Sequence, residues 1–232
     1  MALARQSFTE GTGSGNDNCS VTVPSCATGD TIIIAWVWHT DASRVPSTYT
    51  CPSETVTLLG STLGGAGMDN WRCQWVAIAN VANSGGKTIT CTLTGAPTAG
   101  YTNRQRAWRL SGADTTTPDD GASIIATGTS TTPTLNLTTT VFPDGIFSVQ
   151  TSKGAAPTGF ESGFTSETVS ADSWYMGAQY DIDVGSPGTK AVGYTLASSN
   201  EWSTCAIAIK ESGATAGGGV PKTTRLTMLG VG

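Results

Sequence analysis

The stretch Thr31-Ile-Ile-Ile-Ala-Trp-Val-Trp38 decides how this chain folds. Read with a period of two, it places Ile32, Ile34, Trp36 and Trp38 on one face and Thr31, Ile33, Ala35 and Val37 on the other. Both faces are apolar, so the segment reads as a central strand covered on each side. Downstream, Val56, Leu58 and a Gly-rich turn over 60–67 lead into a second strand, Trp71-Arg-Cys-Gln-Trp-Val-Ala-Ile-Ala79. Asn83-Ser-Gly-Gly-Lys87 then gives a tight reversal into Thr88-Ile-Thr-Cys-Thr-Leu-Thr94. Here Ile89, Cys91 and Leu93 share one face and four threonines the other, the pattern of a half-buried strand with a hydroxyl-covered outer surface.

Further along, Arg104 to Leu110 reads as a strand ending at Ser111-Gly112, and a Thr/Pro/Asp/Gly loop runs from Ala113 to Gly121. Shorter strands are expected near 122–127, 134–140, 145–151, 163–169, 173–183 and 189–196, and a clear one over Glu201–Lys210. About twelve short strands separated by turn residues, with no long amphipathic helix, predict an all-β chain: a β-sandwich of jelly-roll type. It is expected to carry an extended N-terminal arm (1–18) ahead of the sandwich domain (19–211). A Gly/Ala/Ser linker (212–222) and a short apolar strand on that tether (223–232) complete the organisation.

Composition narrows the function classes. Of 232 residues only 12% are charged, about half the usual share, while 29 are glycine. The net charge is −5 and the twelve Lys and Arg form no cluster, which argues against a phosphate-tracking nucleic-acid surface. The longest apolar run, Ile32 to Trp38, is far below the roughly 18 residues of a membrane helix. Neither nucleic acid nor membrane is therefore expected as a partner. The six cysteines, Cys19, Cys26, Cys51, Cys73, Cys91 and Cys205, are disulfide candidates, and their even number points to an oxidising destination. Fifteen pairings are open to six cysteines, and the sequence chooses none of them. The N-terminus has no apolar h-region and does not read as a signal peptide.

Catalytic constellations are weak. His39, the only histidine, is followed by Asp41, but no Gly-x-Ser-x-Gly elbow supplies a nucleophile. Cysteine spacings do not fit zinc, and one histidine cannot complete a ligand set. Asp181 and Asp183 would share a face of a strand, as a glycosidase pair requires, yet edge charges that discourage aggregation explain them as well. Asp119-Asp120-Gly121 is turn chemistry before it is a calcium loop. Trp71 and Trp75 share a face that would stack a sugar if exposed, although a sandwich this size needs its tryptophans inside. No catalytic residue, metal or cofactor is expected.

Several stretches resemble a β-sandwich type found among tailed-bacteriophage virion proteins. They are Thr28-Gly-Asp-Thr-Ile-Ile-Ile-Ala-Trp36, Trp75-Val-Ala-Ile-Ala-Asn80, Trp108-Arg-Leu-Ser-Gly-Ala113, Trp202 with Ala206-Ile-Ala-Ile-Lys210, and the ending Thr224-Arg-Leu-Thr-Met-Leu-Gly-Val231. The resemblance implies a non-enzymatic structural protein that decorates a capsid or builds a neck or tail fibre. It would be made in the host cytoplasm and displayed on the virion surface, where disulfides could harden the particle. Its partners would be other virion subunits, copies of itself and, in the alternative reading of a fibre tip, a host-surface glycan. The expected subunit-docking residues are Arg225, Leu226, Met228, Leu229 and Val231, on a tethered apolar strand suited to adding to a neighbour's sheet.

Overall fold

Seventeen strands and no helix make up the described residues, which in this computed structural model are 1–13, 18–39, 46–64, 71–94, 103–167, 169–171 and 174–216. The first half of the chain supplies β1 (Ala4–Gly13), β2 (Asn18–Cys26), β3 (Thr31–His39) and β4 (Pro46–Thr50). It continues with β5 (Thr57–Gly64), β6 (Trp71–Ile78), β7 (Gly85–Leu93) and β8 (Asn103–Ser111). These pair antiparallel into a five-stranded sheet of order β1-β8-β3-β6-β5 and a three-stranded sheet of order β2-β7-β4. Strand β3 sits mid-sheet because both its faces are apolar. Ile32 and Ile34 pack against Val21, Val23 and Ile89 of the three-stranded sheet, with Trp36 and Trp38 beside Cys91 and Leu93. Ile33, Ala35 and Val37 enter a separate core on the other side.

The second half repeats the arrangement. It supplies β9 (Asp119–Ser130), β10 (Thr134–Thr139), β11 (Val141–Ser152), β12 (Pro157–Phe160) and the short β13 (Thr165–Ser166) and β14 (Ser170–Ala171). Strands β15 (Tyr175–Asp181), β16 (Gly188–Leu196) and β17 (Asn200–Ala216) complete it. The sheet orders are β13-β15-β11-β17-β9, with β14 also on β15, and β10-β16-β12. Replacing β1, β8, β3, β6 and β5 by β9, β17, β11, β15 and β13 turns one inner order into the other. The outer orders correspond in the same way. Two halves therefore share one topology.

The five-stranded sheet of the first half and the six-stranded sheet of the second face each other. Their common core contains Trp75, Trp108 and Leu110 from the first half and Phe147, Val149, Met176 and Ile207 from the second. Leu135, Leu137 and Val192 of the second outer sheet pack on Ile146, Ala206 and Ala208. Four β layers result, with apolar cores in the three spaces between them. The outermost surfaces are hydroxyl-covered: Ser20 pairs with Thr90 at 2.8 Å and Thr22 with Thr88 at 2.9 Å across β2 and β7, and Thr138 with Thr189 at 3.2 Å across β10 and β16.

Three expectations change. Residues 4–13 do not reach outward as an arm: they pair with β8 along its length, from Ala4 opposite Ser111 to Gly13 opposite Asn103. The sandwich expected over 19–211 becomes two sandwich halves meeting near residue 112, with a third core between them. Of the linker expected over 212–222, residues 212–216 are instead the end of β17, with Thr215 and Ala216 opposite Phe142 and Val141; the rest of it and the terminal strand at 223–232 lie outside the described residues.

Ser111-Gly112 ends β8, and Ser212-Gly213 stands at the matching place in β17; both glycines have positive φ, 76° and 84°. A Cβ on Gly112 would run into the Ala2 backbone carbonyl, whereas one on Gly213 would meet open space. Gly112→Ala should therefore cost roughly 2–3 kcal/mol of stability and Gly213→Ala about 1 kcal/mol, read from urea denaturation midpoints.

Candidate functional site

Chemistry-bearing side chains concentrate along the seam between the halves. Alternation along Asn103-Arg-Gln-Arg-Ala-Trp108 sends Arg104, Arg106 and Trp108 to the seam face of β8, and Gln105 and Ala107 to the outer core. Gln105 donates from Nε2 to the Cys19 carbonyl at 2.6 Å. Arg104 and Arg106 are 2% and 0% exposed. Both guanidiniums donate to the Ser170 hydroxyl of β14, Arg104 lies 4.4 Å over the Trp174 ring, and Arg106 faces Glu10 at 3.3 Å. Trp174 in turn packs on Trp71 at 4.1 Å. Buried cations need such partners, because leaving water without them is costly. At the rim, Arg5 of β1 holds Glu167 in a two-point pair at 3.0 and 2.8 Å, and the Leu3 amide donates to Glu211 at 3.2 Å. Arginine does not exchange protons near neutrality, and the Arg5 pair and the Arg104 and Arg106 bonds to Ser170 join the two halves across the seam.

The sequence-derived candidates are not brought together. His39 is the last residue of β3, opposite Trp71 on β6, and Asp41 lies outside the described residues. Asp181 ends β15, and its carboxylate accepts the Asp183 amide at 3.1 Å, so the two aspartates form a turn and do not share a strand face. Asp120 is engaged by the Thr140 amide and hydroxyl. Among the described residues, no three His, Cys, Asp or Glu side chains are grouped to hold a metal ion. A groove of about 290 Å³ lined by Ser53, Glu54, Thr57 and Asn80 contains one carboxylate, and it is committed. Glu54 binds Lys87 at 2.5 Å and accepts the Ala82 amide at 2.9 Å. Burial opposes its ionisation, but those contacts and the Asn83 amide hold its carboxyl below the ordinary range.

Asp144 is the residue the sequence did not single out. It is 0% exposed on the outer-core face of β11, and neither carboxylate oxygen has a hydrogen-bond partner. Burial, with Asp120, Asp181 and Asp183 nearby and Lys190 opposing, pushes it up to about 7. Asp30, before β3, occupies a comparable place in the first half and is satisfied there: Arg109 Nε and the Ala27 amide donate to it at 2.6 and 2.7 Å. The residue opposite Asp144 on β17, Lys210, instead donates to Thr117 at 2.9 Å.

All seven tryptophans are buried, none above 7% exposure, so none offers the open ring a sugar platform needs. All six cysteines are buried free thiols. Cys19 faces Cys91 across β2 and β7, Cys26 and Cys51 share the first outer core, and Cys73 meets Cys205 at the seam. Arg225, Leu226, Met228, Leu229 and Val231 lie outside the described residues. No helix among the described residues is long and apolar enough to cross a membrane. Family models, curated proteins and solved structures yield no match to this chain.

Proposed function

We propose that the chain is a non-enzymatic structural protein that binds neighbouring subunits, of the kind that decorates a virus capsid or builds a neck or tail fibre. The observation that carries this reading is the strand order. A jelly roll arranges eight strands as sheets 1-8-3-6 and 2-7-4-5, and each half here has that order with its fifth strand moved beside the sixth. Jelly rolls serve widely as capsid modules. Stacking the two halves through their inner sheets leaves hydroxyl-covered surfaces outside and the charged side chains of the seam paired within. Such a body is suited to rigid display, with subunit contact left to a segment such as 223–232, which can add as a strand to a neighbour. Sedimentation velocity on the full chain and on residues 1–216 tests this. The full chain should associate at micromolar concentration and the shortened chain should not. Two monomeric species, or equal association of both, would remove the docking strand from the proposal.

A further inference from the structure

Cysteine chemistry at the seam differs from that elsewhere in the molecule. Cys73 projects from β6 and Cys205 from β17, both into the core shared by the two inner sheets, and they are 1% and 3% exposed. The two thiols are near enough for Cys205 to act on Cys73, whose ionisation it opposes. The two strands approach to Cα separations within 8 Å, although they belong to different halves of the chain. Cys19 and Cys91 are also opposed, but as neighbours within one sheet. Such neighbours project side by side with Cβ atoms about 4.5–5.5 Å apart, wider than the roughly 3.8 Å of a relaxed disulfide. Cys26 ends β2 and Cys51 follows β4, and their thiols point to the Val23 and Pro52 carbonyls.

We propose that Cys73 and Cys205 form a disulfide that covalently joins the two halves when the chain folds in the presence of a small-molecule disulfide. Side chains facing each other across a sheet–sheet junction direct their sulfurs together, and the two strands, with Cα atoms within 8 Å of one another, must draw closer to reach the 4.4–6.8 Å or so that a disulfide spans. With glutathione disulfide as oxidant, one cysteine thiolate attacks and forms a mixed disulfide, releasing one glutathione. The second cysteine displaces the other glutathione. Two electrons leave the cysteine pair and reduce one glutathione disulfide to two thiols, which also take up the two cysteine protons.

Timing follows from burial. The Cys73 thiol is pushed well above its usual range by burial and by the adjacent Cys205, so its reactive thiolate is scarce once the halves have closed. The link is therefore made while the chain folds and is shielded afterwards. It closes a loop of about 130 residues between the two halves, long enough for a large constraint on the unfolded chain. This inference rests on thiol geometry and not on the assembly reading, so either can fail alone.

The test uses the full chain, refolded from urea in a glutathione buffer rich in the disulfide form. Remaining thiols are alkylated in denaturant, and the digest is mapped by mass spectrometry without reduction. The expected product joins the Cys73 peptide to the Cys205 peptide. In the native oxidised protein this link should survive dithiothreitol at 25 °C and be lost when urea is added. The oxidised protein should also melt roughly 10 °C above the reduced one. Alkylation of both Cys73 and Cys205 after oxidative refolding would overturn the proposal. So would the joining of either to one of the other four cysteines.

Discussion

Replacing Asp144 by Asn should remove most of the pH dependence of the protein's stability between 5 and 8, a range in which the parent chain should weaken up to about pH 7 and then level off. The carboxyl is fully buried and without hydrogen-bond partners, and it sits at about 7 in the folded chain against an ordinary value of 3.8. A folded-state value above the unfolded one means that folding favours the protonated acid. The folded chain binds more protons than the unfolded chain between about pH 4 and pH 7, so stability falls as pH rises through that window and levels off above it. At about 1.4 kcal/mol per unit, the difference approaches about 4 kcal/mol. Below pH 4 the curve turns over, because Glu54 and Asp114 behave oppositely. The amides of Thr117 and Thr116 hold the Asp114 carboxyl low, and the contribution of both groups is lost as pH falls through their folded values. Urea midpoints of parent and Asp144→Asn at pH 5, 6, 7 and 8 check this. Parallel curves across those four values would mean that Asp144 is solvated and ionised in the folded chain.

How the fold was read from sequence follows from where the apolar residues lie. Strand β3 was legible to its environment, since Ile33 and Val37 on one face and Ile34 and Trp36 on the other can be satisfied only by cover on both sides. Strand β7 was equally clear, with Ile89, Cys91 and Leu93 in and its threonines out. Strand β1 was not legible. It is an edge strand held to β8 by its backbone ladder, and its side chains add ion pairs, Arg5 to Glu167 and Glu10 to Arg106, with Phe8 on Trp108 at 5.3 Å as an apolar contact. A segment with one aromatic among polar residues reads as an arm. The repeat was hidden for a related reason. Counting from Asp30 and Asp144, the outward face of β3 carries Ile32, Ile34 and Trp36 where β11 carries Ile146, Ser148 and Gln150. Backbone pairing keeps the strand order across such changes, and a buried polar side chain such as Ser148 finds a partner in the Tyr194 hydroxyl at 2.7 Å. Asp144 escaped notice because Pro143-Asp-Gly145 has the composition of a turn. Only the pairing of β11 with β17 shows that this aspartate lies inside a strand.

Trp108→Ala is expected to lower the stability of both halves together, by about 3–5 kcal/mol, or roughly 10 °C in a calorimetric scan. The ring sits where the halves meet: Phe8 lies 5.3 Å away, Trp75 6.0 Å and, from the second half, Phe147 5.6 Å, with Tyr180 stacked 6.0 Å beyond Phe147. Each inner sheet has one face on its own outer sheet and the other on its counterpart. Separating the halves would therefore expose Phe147, Val149, Met176 and Ile207 from one side and Trp75, Trp108 and Leu110 from the other, far more apolar surface than one sandwich could tolerate in water. A cavity at Trp108 should then be felt equally by amide protons of β3 in the first half and of β11 and β17 in the second. Hydrogen exchange of these strands in the variant should accelerate by a common factor, and the scan should keep one transition. Thr22→Ala, on the outer hydroxyl surface, should shift it by no more than about 0.5 kcal/mol. Faster exchange confined to the first half, or a scan split into two transitions, would mean that the halves fold as independent bodies and that the shared core is only a contact between them.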